Sequence, residues 1–142
     1  MKTNGFTLLE MLLVLSISFT LITLTILPIS KTLSTLTEKQ LLEEVKATIY
    51  LAQINAITTN EDTTISFNPV GNQLVASTNS RTLATTSFAE TIKLTQSKTE
   101  TFRYSGSDGS INRFSTIRFA SSANSYKLIF QIGKGRFRIE QN

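Results

Sequence analysis

Three patterns of apolar and polar positions follow one another along the chain. From Met11 to Ser30 the residues MLLVLSISFTLITLTILPIS carry no charge. As a helix this run would rise about 30 Å, the thickness of a bilayer core. Only a helix satisfies its own backbone there, so the pattern predicts a single transmembrane helix. Thr20, Thr23, Thr25 and Ser30 interrupt its second half, with hydroxyls able to bond the preceding turn. Pro28 predicts a kink or a local loosening. Lys2 and the α-amino group precede the run, which points the N-terminus to the cytoplasm. The residues after the run lack the Ala-x-Ala pattern of an ordinary secretory cleavage site.

The second pattern is amphipathic. Leu42, Val45, Ile49, Ala52 and Ala56 fall at alternating spacings of three and four, a one-faced helical stripe. Glu38, Lys39, Glu43, Glu44 and Lys46 occupy the other faces. Gly and Pro are absent between Ser30 and Asn68, so the helix is expected to run on to about Thr58. Its stripe is expected to pack on the chain's own sheet, because the heptad run is short for a coiled coil.

The third pattern is β. Thr and Ser abound after Asp62, and candidate strands fall at residues 63–68, 73–77, 82–88, 92–95, 101–104, 114–119, 126–132 and 136–140. Tyr126, Leu128, Phe130 and Ile132 alternate with polar residues, as do Phe137 and Ile139. Gly133-Lys134-Gly135 between them is a hairpin signal. Residues 68–72 and 105–109 are turn clusters. The expected fold class is α+β: a long N-terminal helix, transmembrane then amphipathic, packed on a small antiparallel sheet. The organisation that follows is a helix over 6–30, an amphipathic helix over 31–60 and a β domain over 61–142.

Composition removes most chemistry. The chain has 142 residues and no Cys, His or Trp. Disulfides, thiol catalysis, Cys/His zinc sites and a Ser-His-Asp relay are therefore excluded. Glu61, Asp62, Glu90, Glu100, Asp108 and Glu140 are the acids of the β domain, and no His, Cys or phosphate loop accompanies them. No enzymatic activity, metal or cofactor is expected. The net charge of +4 is uneven: residues 31–62 carry −2 and residues 63–142 carry +6. Basic residues interleave with Phe and Tyr near the C-terminus, which makes Lys134, Arg136 and Arg138 the candidates for DNA contact. Strand alternation, with Phe inward and Arg outward, accounts for the same residues without a ligand.

Glu10 stands at the front of the apolar run. A lone carboxylate near membrane depth costs about 2.5–3.5 kcal/mol. It either lies at the headgroup level or pairs with a cation inside an assembly. Lys2-Thr3-Asn4-Gly5-Phe6-Thr7-Leu8-Leu9-Glu10, followed by the apolar run, resembles the class III signal of type IV prepilins and pseudopilins. That motif is a short basic leader, then Gly, then Phe-Thr-Leu-x-Glu, then an apolar helix. The match covers about the first thirty residues, and the chain is most like the minor pseudopilins of the competence (ComG) type in Gram-positive bacteria.

The resemblance implies a pilin-like fold and a leader, residues 1–5, removed by a prepilin peptidase between Gly5 and Phe6. It implies N-methylation of Phe6, and a subunit-assembly salt bridge from Glu10 to a neighbour's new amine. Breaking such a buried pair costs about 3–5 kcal/mol, which makes Glu10 a register device in a filament built of heterologous contacts. The implied partners are other pseudopilins, the prepilin peptidase, a membrane platform protein, an assembly ATPase and membrane lipid before assembly. The implied location is the cell membrane, single-pass with a cytoplasmic N-terminus, then a surface filament after processing. The implied function is to help bring external DNA across the cell wall during transformation. The alternative is a pseudopilin of a type II-like protein secretion system.

Overall fold

A computed structural model describes residues 7–89, 92–122, 124–131 and 133–141, with the side chains of residues 25–32 excepted. Helix α1 spans Leu8–Thr59. The chain divides into two compact units between Thr37 and Glu38.

In the first unit, every described side chain from Thr7 to Leu24 is exposed. The Thr20 and Thr23 hydroxyls donate to the carbonyls of Ser16 and Phe19 at 2.8 Å each, so these polar groups are satisfied within the helix. Among the described residues no helix is long and apolar enough to cross a membrane. This finding overturns both the expected transmembrane helix and the single-pass cell-membrane location. The side chain of Pro28, the expected kink, lies outside those described.

In the second unit, residues 38–59 of α1 present Val45, Ile49, Ala52 and Ala56 to the core, each fully buried. Leu41 is buried where Leu42 was expected, and Leu42 packs at the margin. The helix stops at Asn60, whose φ of 54° is the left-handed conformation that ends helices.

Eight strands follow: β1 (Thr63–Asn68), β2 (Gln73–Ser77), β3 (Thr82–Ser87), β4 (Ile92–Leu94), β5 (Glu100–Tyr104), β6 (Ser115–Ser121), β7 (Ser125–Phe130) and β8 (Phe137–Gln141). They do not form the one small sheet that was expected. Two four-stranded antiparallel sheets result, β3-β2-β1-β5 and β4-β6-β7-β8. The expected fold class, a transmembrane-then-amphipathic helix on a single pilin-like sheet, is corrected on both counts.

The physical reason for the second sheet is a swap in the middle of the chain. β4 pairs with β6, while β5 returns to pair with β1. Local turn signals do not encode such long-range pairing. Asn72 holds the swap in place. Its φ is 45°, its amide donates to the Ile92 carbonyl at 2.8 Å, and its Oδ1 accepts from the Leu94 amide at 3.1 Å.

The inner faces of both sheets and the helix stripe share one core. Phe67 and Phe102 of the first sheet meet Phe130 of the second at centroid distances of 6.2 and 4.4 Å. Ile111 bridges Tyr104 on one side and Gly133 on the other, tying the end of β5 to the loop after β7.

Candidate functional site

Gly5 and Phe6, the expected cleavage and methylation positions, lie outside the described residues. Glu10 is described, and its carboxylate is held by its own chain. Its Oε2 accepts from the Thr7 amide at 3.1 Å and the Thr7 hydroxyl at 3.3 Å. In return the Glu10 amide donates to the Thr7 hydroxyl at 3.3 Å. This is a reciprocal capping box with Thr7 as N-cap and Glu10 three residues later. The helix dipole favours a carboxylate at that end. The Thr7-x-x-Glu10 spacing carries this role in the sequence. Both residues remain exposed and open to other partners.

Lys134, Arg136 and Arg138 come together at one cleft of the second unit, between α1 and the β7–β8 connection. Tyr50 and Gln53 of the helix line it with Gln131, Lys134, Gly135, Arg136, Phe137 and Arg138, around about 260 Å³. The connection is fixed from below. The Gln53 side-chain amide donates to the carbonyls of Gly109 and Lys134 at 3.1 and 2.9 Å. Gly135 has a φ of 66°, and a Cβ there would lie 2.7 Å from the Tyr104 ring. Burial raises the Tyr104 hydroxyl's pKa well above its usual value, and that hydroxyl has no hydrogen-bond partner among the described residues.

The cleft is cationic on one side and aromatic on the other. Arg138 Nε pairs with Glu140 at 2.9 Å. Lys134 and Arg136 are exposed, and neither has an ion-pair partner among the described residues. The Tyr50 ring is half exposed and leans on Phe137 at a centroid distance of 5.0 Å. The outward Arg and half-buried Phe and Ile of β8 follow the expected alternation.

A second polar centre was not foreseen. Glu38 is buried, 7% exposed, against the turn between β6 and β7. The Tyr126 hydroxyl donates to its Oε2 at 2.7 Å and the Asn124 side-chain amide at 2.8 Å. Gln141 in turn donates to Asn124 Oδ1 at 2.9 Å. Burial works to raise the Glu38 pKa, but hydrogen bonds from Ser121, Tyr126 and Asn124 outweigh it and hold the carboxyl below its ordinary value. Burial and the Glu38 charge push Tyr126 up to about 12. The signal in the sequence was faint: Glu38 stands one turn before Leu42, on the edge of the apolar stripe.

Among the described residues no group of three or more His, Cys, Asp or Glu side chains could hold a metal. No family model, curated protein or solved structure matches the chain.

Proposed function

We propose that the chain is a minor pseudopilin, a subunit of a type IV pilus-like filament that helps bring external DNA across the cell wall during transformation. One observation carries the reading. The helix from Leu8 to Leu24 is apolar on all its faces, and its large side chains are 52–81% exposed. A helix apolar all round belongs in an apolar interior. Helices of neighbouring subunits would supply that interior, as in a filament of heterologous contacts. Glu10 supports the same reading. It is an exposed carboxylate, positioned by Thr7, four residues along the sequence from Phe6, where processing would create an amine.

The test is to isolate the chain from its native cells and weigh its N-terminus. Expected is a mature chain beginning at Phe6 with one added methyl. Gly5→Leu should leave an unprocessed precursor. Glu10→Ala should lower co-purification with the other filament subunits at least a hundredfold, the scale of a broken buried ion pair of about 3–5 kcal/mol. A chain that keeps Met1 and associates with no filament would overturn the reading.

A further inference from the structure

We infer that the cleft between α1 and the β7–β8 connection is a binding site for single-stranded nucleic acid. Its phosphates would lie on Lys134 and Arg136, with one base against Tyr50. The inference deepens the filament reading and takes its biological setting from it. The chemistry of the cleft stands by itself.

Two cations without an ion-pair partner among the described residues flank an exposed aromatic ring in one concave site. Cations alone suit any polyanion. A ring beside them adds a stacking platform, and base–aromatic stacking contributes about 1–3 kcal/mol per base. Duplex bases are stacked on each other and hide their faces, so the ring selects a strand with bases free.

The cations are also held where a strand could reach them. Gln53 pins the Lys134 carbonyl, and the left-handed turns at Gly133 and Gly135 fix the connection, with φ of 111° and 66°. Arg138 is already engaged by Glu140, so Lys134 and Arg136 carry the contact. The surrounding charge works in the same direction, since residues 63–142 carry a net +6.

The experiment is fluorescence anisotropy of the full chain, kept dispersed in mild detergent, with a labelled twelve-nucleotide oligothymidylate. Competitors are an abasic oligomer of equal charge, a duplex of equal length and inorganic polyphosphate. Expected is binding that the single strand competes best. Lys134→Ala with Arg136→Ala should weaken it at least tenfold and lower the logarithmic salt slope by about 1.4, the loss of two phosphate contacts on a single strand. Tyr50→Leu should weaken thymidylate binding several-fold and leave abasic binding unchanged. Equal competition by polyphosphate or the abasic oligomer would overturn the inference, as would an unaltered affinity in the double variant. The filament reading is judged separately, by the N-terminal mass and the co-purification with other subunits. Strand binding by a chain that keeps Met1 and joins no filament fails that reading alone, and a processed, incorporated chain that does not bind the strand fails this inference alone.

Discussion

At the scale of single residues the decisive group is Glu38. A carboxylate buried without a cation is costly, and here three neutral donors make it tolerable. Glu38→Ala removes the acceptor and strips the buried Tyr126 hydroxyl and the part-buried Asn124 amide of their partner. Losing such partners costs about 1–3 kcal/mol. Denaturant unfolding should show a lower midpoint with an unchanged slope. The network also makes stability depend on acidity. Glu38's folded pKa lies below the ordinary 4.5, so its contribution is fully present above that value. The contribution is lost as pH falls from about 4.5 through the folded pKa. Glu38→Gln should therefore be less stable than the parent at pH 7, with the gap closing towards pH 3. A gap that stays constant across that range would show that the carboxylate's charge is irrelevant.

Glu10 teaches a different lesson at the same scale. Within its own chain the carboxylate is held by Thr7, and its exposure leaves it free for the neighbour's amine that the filament reading assigns to it. Thr7→Ala should fray the first turn at about 1 kcal/mol, the usual worth of a cap, read as lower protection of the amides at residues 9–11 in hydrogen exchange.

At the scale of elements the strands were legible and their order was not. Alternation singled out Tyr126, Leu128 and Phe130 as one face of a strand, and all three are buried. Alternation works because a strand's side chains have a period of two whatever strand lies beside it. It says nothing about whether β4 pairs with β3 or with β6. That choice rests on Asn72, a turn residue by composition. Its side chain reaches across to the carbonyl of Ile92 and the amide of Leu94. The amphipathic stripe of α1 was readable for the same reason as the strands. The cleft was half readable. Lys134 and Arg136 stood out by charge, but Tyr50 joins them only through the pairing of β7 with β8 and the contact of Phe137 with the helix.

Asn72 and the β7–β8 connection can each be tested at this scale. Asn72→Ala deletes the side-chain bonds that hold β4 away from its sequence neighbour. A loss of about 1–3 kcal/mol is expected from the unpaired Leu94 amide and Ile92 carbonyl, with the thermal midpoint as readout. Gly135→Ala forces a Cβ to within 2.7 Å of the Tyr104 ring and 2.8 Å of the Gly109 carbonyl, at a φ of 66°. Strained backbone of this kind costs about 1–3 kcal/mol before the clash is added. At Gly133 an added Cβ would meet nothing within 4 Å, so Ala should be better tolerated there despite the φ of 111°. Equal destabilisation at the two glycines would mean that φ alone, and not the Tyr104 contact, sets the requirement.

At the scale of the whole molecule the chain joins two units with opposite needs. Among the described residues, the buried apolar ones, from Leu41 to Phe130, all lie in the second unit, Glu38–Asn142. The first presents Leu8 to Leu24 with every described side chain exposed. A core that closes within one unit should fold without the other. A chain begun at Leu33 keeps Glu38, its donors and the whole stripe of α1. Its thermal midpoint should stay within about 4–8 °C of the full chain's, the shift that ~1 kcal/mol produces in a domain near this size. Its solution behaviour should change far more. The full chain carries a long apolar surface that must find cover and should associate in the absence of detergent. The shortened chain lacks that surface and should sediment as a monomer. Association that persists after truncation would move the contact to the second unit, where Tyr50, Leu51, Ile54 and Ile57 form an exposed apolar line along α1. Loss of folding on truncation would instead show that the two units stabilise each other. Monomeric, folded behaviour is the outcome expected if the apolar helix serves assembly and the two-sheet unit carries the rest.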